Sequence, residues 1–112
     1  MLRQFQTTIL ERKTTISDGF ATEPIEAAWA GEALFFIQVK EPEGNKTRLQ
    51  ARVQISPDGI RWVDEGGVLD TAQEPGLHFI RVTHFGGWLR LCFTINPDTG
   101  SAGITAHLVL KE

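Results

Sequence analysis

The stretch Leu49-Gln50-Ala51-Arg52-Val53-Gln54-Ile55-Ser56-Pro57-Asp58-Gly59-Ile60-Arg61-Trp62-Val63 decides the fold. Leu49, Ala51, Val53 and Ile55 alternate with Gln50, Arg52, Gln54 and Ser56, so one face is apolar and the other polar. A period of two marks a strand with one buried face. Ser56-Pro57-Asp58-Gly59 supplies a turn: Pro57 presets φ, Ser56 accepts hydrogen bonds from the turn backbone, and Gly59 takes positive φ. Ile60-Arg61-Trp62-Val63 then reads as the start of the return strand. An antiparallel hairpin of this kind points away from the enzyme folds built on parallel sheets.

The same punctuation recurs along the chain. Ser17-Asp18-Gly19, Ala30-Gly31, Glu41-Pro42-Glu43-Gly44-Asn45, Gly66-Gly67, Glu74-Pro75-Gly76, Gly86-Gly87 and Asn96-Pro97-Asp98-Thr99-Gly100 are further breaks. Pro42 with Gly44, and Pro97 with Gly100, look like longer versions of the Ser56 device. Between the breaks lie segments rich in Phe, Ile, Val, Leu and Thr, as strands prefer. They predict about seven to eight strands, near 4–11, 13–17 or 20–25, 33–40, 47–56, 60–65, 77–84, 88–95 and 103–111. Many short strands with Gly and Pro turns define an all-β, antiparallel sandwich of jelly-roll type.

Leu89, Leu91, Phe93 and Ile95 form one inward set, and Ile104, Ala106, Leu108 and Leu110 another. Leu34-Phe35-Phe36-Ile37-Gln38-Val39 is apolar on both faces, which suggests a central strand or one covered by a partner. Residues 22–31 carry helix punctuation but are short, so they read as a strand or irregular crossing or as a short helix, and either leaves the fold class intact.

Composition bounds the function. At 112 residues, 41% hydrophobic and 22% charged, residues 1–112 read as a single globular domain. A net charge of −3, with eleven scattered Lys and Arg, gives no basic stripe for nucleic acid. No segment approaches the roughly 18 apolar residues of a membrane span. The amino terminus has no signal-peptide run after Met1, so a cytoplasmic or virion-associated protein is expected. The single Cys92 cannot form an internal disulfide.

Catalytic and metal constellations are absent from the pattern. His78 and His84, in one strand, would stand about 20 Å apart, and no Cys or His pair has metal spacing. Cys92 sits mid-strand between Leu91 and Phe93, a packing context, and the only adjacent carboxylates, Asp64-Glu65, would face opposite sides. Neither an enzyme nor a cofactor is expected. Trp29, Trp62 and Trp88 are the better candidates, because indoles stack on sugars and anchor interfaces. Trp62 reads first as a cap on the core. Trp88 shares its face with Arg90 and follows the Gly86-Gly87 turn, which makes it the more exposed of the two. Trp88, Arg90 and Arg61 are the candidate ligand-binding residues, while solvated charge is the ordinary role for Arg52, Arg61, Arg81 and Arg90.

The run Ser56-Pro57-Asp58-Gly59-Ile60-Arg61-Trp62, with Trp88-Leu89-Arg90-Leu91 downstream, resembles the paired motifs of discoidin-type, galactose-binding-like jelly rolls. With Gly31-Glu32-Ala33-Leu34 opening a strand, roughly residues 20–111 resemble small phage and prophage virion-associated sandwich modules more closely. The resemblance implies the fold and a non-enzymatic role, and transfers no binding residue. Two expectations follow: a structural or interaction module that forms a homo-oligomer to cover its sheet edges, or a carbohydrate-binding module using Trp88 and nearby polar groups. A protein or a glycan is the expected ligand class.

Overall fold

A computed structural model of the protein describes residues 4–16, 19–40, 49–70, 76–95 and 101–112. Two antiparallel sheets face each other across one apolar core. The strands are β1 (Phe5–Ile16), β2 (Phe20–Ala21), β3 (Ile25–Glu26), β4 (Glu32–Val39), β5 (Leu49–Ser56), β6 (Val63–Asp70), β7 (Gly76–Val82), β8 (Trp88–Ile95) and β9 (Ala102–Lys111). The first sheet has the order β1-β9-β4-β7. The second has the order β2-β8-β5-β6, with β3 also on β8. Apart from the β5–β6 hairpin, and with β2 and β3 taken as one edge, successive strands cross between the sheets, which is the winding of a jelly roll.

Among the described residues nine strands occupy eight positions, because one edge strand is broken. Phe20–Ala21 and Ile25–Glu26 both pair with β8, on either side of Thr22-Glu23-Pro24. Pro24 has no amide hydrogen to give the ladder. Thr22, itself buried, holds the gap closed: its amide donates to the Leu91 carbonyl at 2.9 Å, and its Oγ1 accepts from the Leu91 amide at 3.0 Å. After Glu26 the chain turns at Ala28–Trp29, so residues 22–31 hold the short strand β3 and an irregular crossing, and no helix.

The inward sets are as the alternation requires. Leu89, Leu91, Phe93 and Ile95 are buried against Ile104, Ala106, Leu108 and Leu110, with Phe35, Ile37 and Val53 between them. Removing each of the larger side chains from water contributes about 1.5–3 kcal/mol. β4 is an interior strand, flanked by β9 and β7.

Three sequence expectations are corrected. The strands expected at 4–11 and 13–17 are one strand over Phe5–Ile16 with a bulge, because Lys13 adopts φ 49° and its amide donates to Thr105 Oγ1 at 3.1 Å. The return strand of the hairpin begins at Val63, because the Asp58 carboxylate captures the Ile60 and Arg61 amides. Gly66-Gly67 is a bulge inside β6, where the register with β5 slips between Arg52 and Gln54. The turns expected at 41–45 and 96–100, and parts of those at 17–19 and 74–76, lie outside the described residues.

Gly67 has a packing reason. A Cβ there would stand 2.9 Å from Ile80 Cγ2, 3.1 Å from Glu65 Oε1 and 3.4 Å from Val53 Cγ2, where β6 approaches β7. Ile80 is buried and β-branched, so it yields little. Gly67→Ala is therefore expected to lower stability by about 1–3 kcal/mol through overpacking. Urea unfolding measures it, and combining the change with Ile80→Ala should cost less than the sum of the two.

Candidate functional site

Each sheet turns one face to the core and one outward, and the two outward faces differ in chemistry. On the second sheet the outward positions of β5 and β8 are mostly polar: Gln50, Arg52 and Gln54 of β5 stand opposite Thr94, Cys92 and Arg90 of β8, with Val68 of β6, 52% exposed, beside Arg52. Arg90 Nε donates to Gln54 Oε1 at 2.8 Å, and Gln54 Nε2 donates to Asp64 Oδ1 at 3.0 Å. Asp64 Oδ2 in turn pairs with Arg52 Nη1 at 3.2 Å. These four planar side chains form a connected band across three strands.

The indoles lock the hairpin loop onto this face. The Arg90 guanidinium lies 4.3 Å from the Trp62 ring centroid, a cation–π stack. Gly59, at φ 79°, sits against the Trp88 indole, where a Cβ would come within 3.3 Å of two ring carbons. Thus the two parts of the sequence motif interlock: Trp62 with Arg90, and the turn glycine with Trp88. Trp62 is half-buried on the outer side of the second sheet, not a cap on the core, because Arg90 draws it to that face. Trp88 is half-buried beneath the turn.

Arg61, the third candidate, does not join Trp88 and Arg90. Its Nε donates to Asp58 Oδ2 at 3.1 Å, and its side chain is 84% exposed. Asp58 is the centre of the loop. Its Oδ1 accepts from the amides of Ile60 and Arg61, both at 2.9 Å, and from the Ser56 hydroxyl at 3.1 Å. Ser56 Oγ accepts from the amides of Asp58 and Gly59, at 3.2 and 2.8 Å. The Arg61 amide above all, then the Ile60 amide, lowers the Asp58 pKa from its ordinary 3.8 to about 2.

The outward face of the first sheet carries apolar side chains on every strand, interspersed with polar ones. Cross-strand register sets Ile9, His107, Phe36 and Phe79 in one row across all four strands. The next row is Thr7, Val109, Leu34 and Arg81. Leu77 and Phe5 extend the apolar band at two corners. Phe5, Ile9, Leu77 and Phe79 are 73, 43, 63 and 62% exposed, and the Phe36 and Phe79 rings meet at 6.3 Å. The sequence reading found the doubly apolar β4 but missed Leu77 and Phe79, although their alternation with His78 and Ile80 was visible. It also missed Gln54 and Asp64, since polar residues at alternate positions read as plain solvent contacts.

Among the described residues no three His, Cys, Asp or Glu gather in a way that could hold a metal ion, and no helix is long and apolar enough to cross a membrane. His84 lies beyond the end of β7, with its Nδ1 3.1 Å from Thr83 Oγ1.

No protein-family model and no curated protein matches this sequence. Solved structures share its fold. The PBSX exported protein XepA superposes on 94% of the chain with a TM-score of 0.69 at 8% identity. The chain spans 36% of that protein's length. The SPBc2 prophage-derived protein YomS covers 100% of the chain, which spans 96% of YomS, with a TM-score of 0.59 at 6% identity. Murine APRIL gives 0.57 at 13% identity, over 99% of this chain and 100% of its own. At such identities the likeness is one of fold.

The Asp58 carboxylate stabilises the loop while it is ionised. Because its pKa is depressed on folding, that contribution is complete above about pH 4 and is lost as pH falls toward 2. An NMR titration should place the Asp58 carboxyl midpoint near 2, with the Ile60 and Arg61 amide signals moving together. A midpoint near 3.8 would contradict the loop geometry.

Proposed function

We propose that the chain is a non-catalytic structural or interaction module that self-associates. One observation carries this reading: an apolar band crosses every strand of the first sheet on its solvent side. Water-facing apolar patches of this size mark interaction surfaces. The bulged β1 and broken β2–β3 edges discourage strand addition at two of the four sheet edges, which favours contact through a face. The prophage origin of YomS and the resemblance of the hairpin to virion-associated modules support a phage-derived accessory role. That role is consistent with either a cytoplasmic or a virion-associated protein.

A second reading, carbohydrate binding, is favoured by the Arg90–Gln54–Asp64–Arg52 band beside Trp62 on the other face. Planar hydrogen-bonding groups next to an indole suit a sugar ring. In that reading Trp88 and Arg90 serve mainly to fix the loop, with Arg61 at its rim.

Light scattering coupled to size exclusion, across a concentration series, separates the two. Self-association predicts a mass above that of one chain that rises with concentration and falls when Phe79 is changed to Glu. A monomer at every concentration, with glycan-array binding lost on Trp62→Ala, would replace the first reading by the second.

A further inference from the structure

We infer that the outward face of the first sheet binds a second copy of this chain about a two-fold axis running along the strands, between β9 and β4. The inference rests on the self-association proposed above and specifies its surface and symmetry. Area comes first. Phe5, Ile9, Leu77 and Phe79, at 73, 43, 63 and 62% exposed, present roughly 450 Å² of apolar surface between them. That is more than half of the ~800 Å² that each partner contributes to a stable interface, and the half-buried Leu34, Phe36 and Val109 of the same face add to it.

The register supplies the symmetry. A two-fold contact sets one patch against itself. An axis along the strands, between β9 and β4, keeps each cross-strand row opposite the same row of the second copy. It exchanges β9 with β4, and β1 with β7. Val109 then faces Leu34 of the other copy, and Ile9 faces Phe79, because these residues share rows. Lys111 and Glu32 also share a row, so each Lys111 meets the opposite charge of the second copy's Glu32, twice in the dimer. Val109 and Leu34, Ile9 and Phe79, and Lys111 and Glu32 are thus matched, while His107 faces Phe36 and Thr7 faces Arg81 at the same interface.

The other in-plane axis, across the strands, fits less well. Centred on the Ile9–His107–Phe36–Phe79 row, it would set Leu34 against Gln38 and Val109 against Thr105. Leu34 and Val109 would then meet polar groups, with Ile9, Phe36 and Phe79 each facing its own copy. It would also bring Glu32 to Lys40 in place of Lys111. Two sheets packed in the favoured way lie about 10 Å apart, with strand directions within about 30°.

Charge reversal tests the arrangement. Sedimentation equilibrium is run on the full chain, on Lys111→Glu, on Glu32→Lys and on the double exchange, with circular dichroism to confirm folding. Like charges placed opposite each other should weaken the dimer about tenfold in each single variant, and the double exchange should restore it. Ile9→Glu should abolish it. A wild-type dimer unaffected by all these changes would overturn the two-fold face while leaving self-association standing. Rescue of Glu32→Lys by Lys40→Glu, and not by Lys111→Glu, would overturn the choice of axis. A wild-type chain that stays monomeric would overturn self-association itself.

Discussion

The strand period of two is the constraint on which the structure depends. It divides every sheet into an inward and an outward face, and folding commits the inward one completely. Phe35, Ile37, Leu89, Leu91, Ile104 and Leu108 are fully buried between the sheets. Their burial fixes register, because a slip of one residue would expose them all. Whatever the molecule recognises must therefore be written on its outward faces, its edges and its loops.

Those outward faces have been given opposite chemistry. On the second sheet the polar positions bond to one another, and two indoles tie the hairpin loop down. The loop is built to be rigid: Ser56 and Asp58 satisfy four loop amide donations between them, and Gly59 supplies the left-handed residue against Trp88. Most of what the SPDGxxW motif encodes is thereby explained as architecture. On the first sheet nothing of the kind happens. Phe79, Leu77 and Ile9 face solvent over about half of their surface or more, with the Phe79 ring resting on Phe36.

Much of this was legible in the sequence. Alternation from Leu49 to Ile55 gives the inward set and the fold class, and β8 runs over its expected residues. Of the two readings of the doubly apolar β4, a central strand or one covered by a partner, the structure shows the central strand. Other features were hidden because they depend on partners distant along the chain. Nothing near Gly66-Gly67 distinguishes a turn from a bulge, and Ile80, which requires the glycine, lies thirteen positions beyond Gly67. Trp62 reads as a core residue until Arg90, in another strand, draws it outward. The sequence likewise gives no sign that Asp58 holds the Arg61 guanidinium.

The most direct measurement is a dilution series followed by methyl NMR. Self-association through the first sheet predicts that the methyl signals of Ile9, Leu34, Leu77 and Val109 shift with concentration. Those of Val68 and Ile60, on the second sheet and its loop, should hold still. Concentration-dependent shifts confined to Val68 and Ile60, or no shifts at all, would contradict the account.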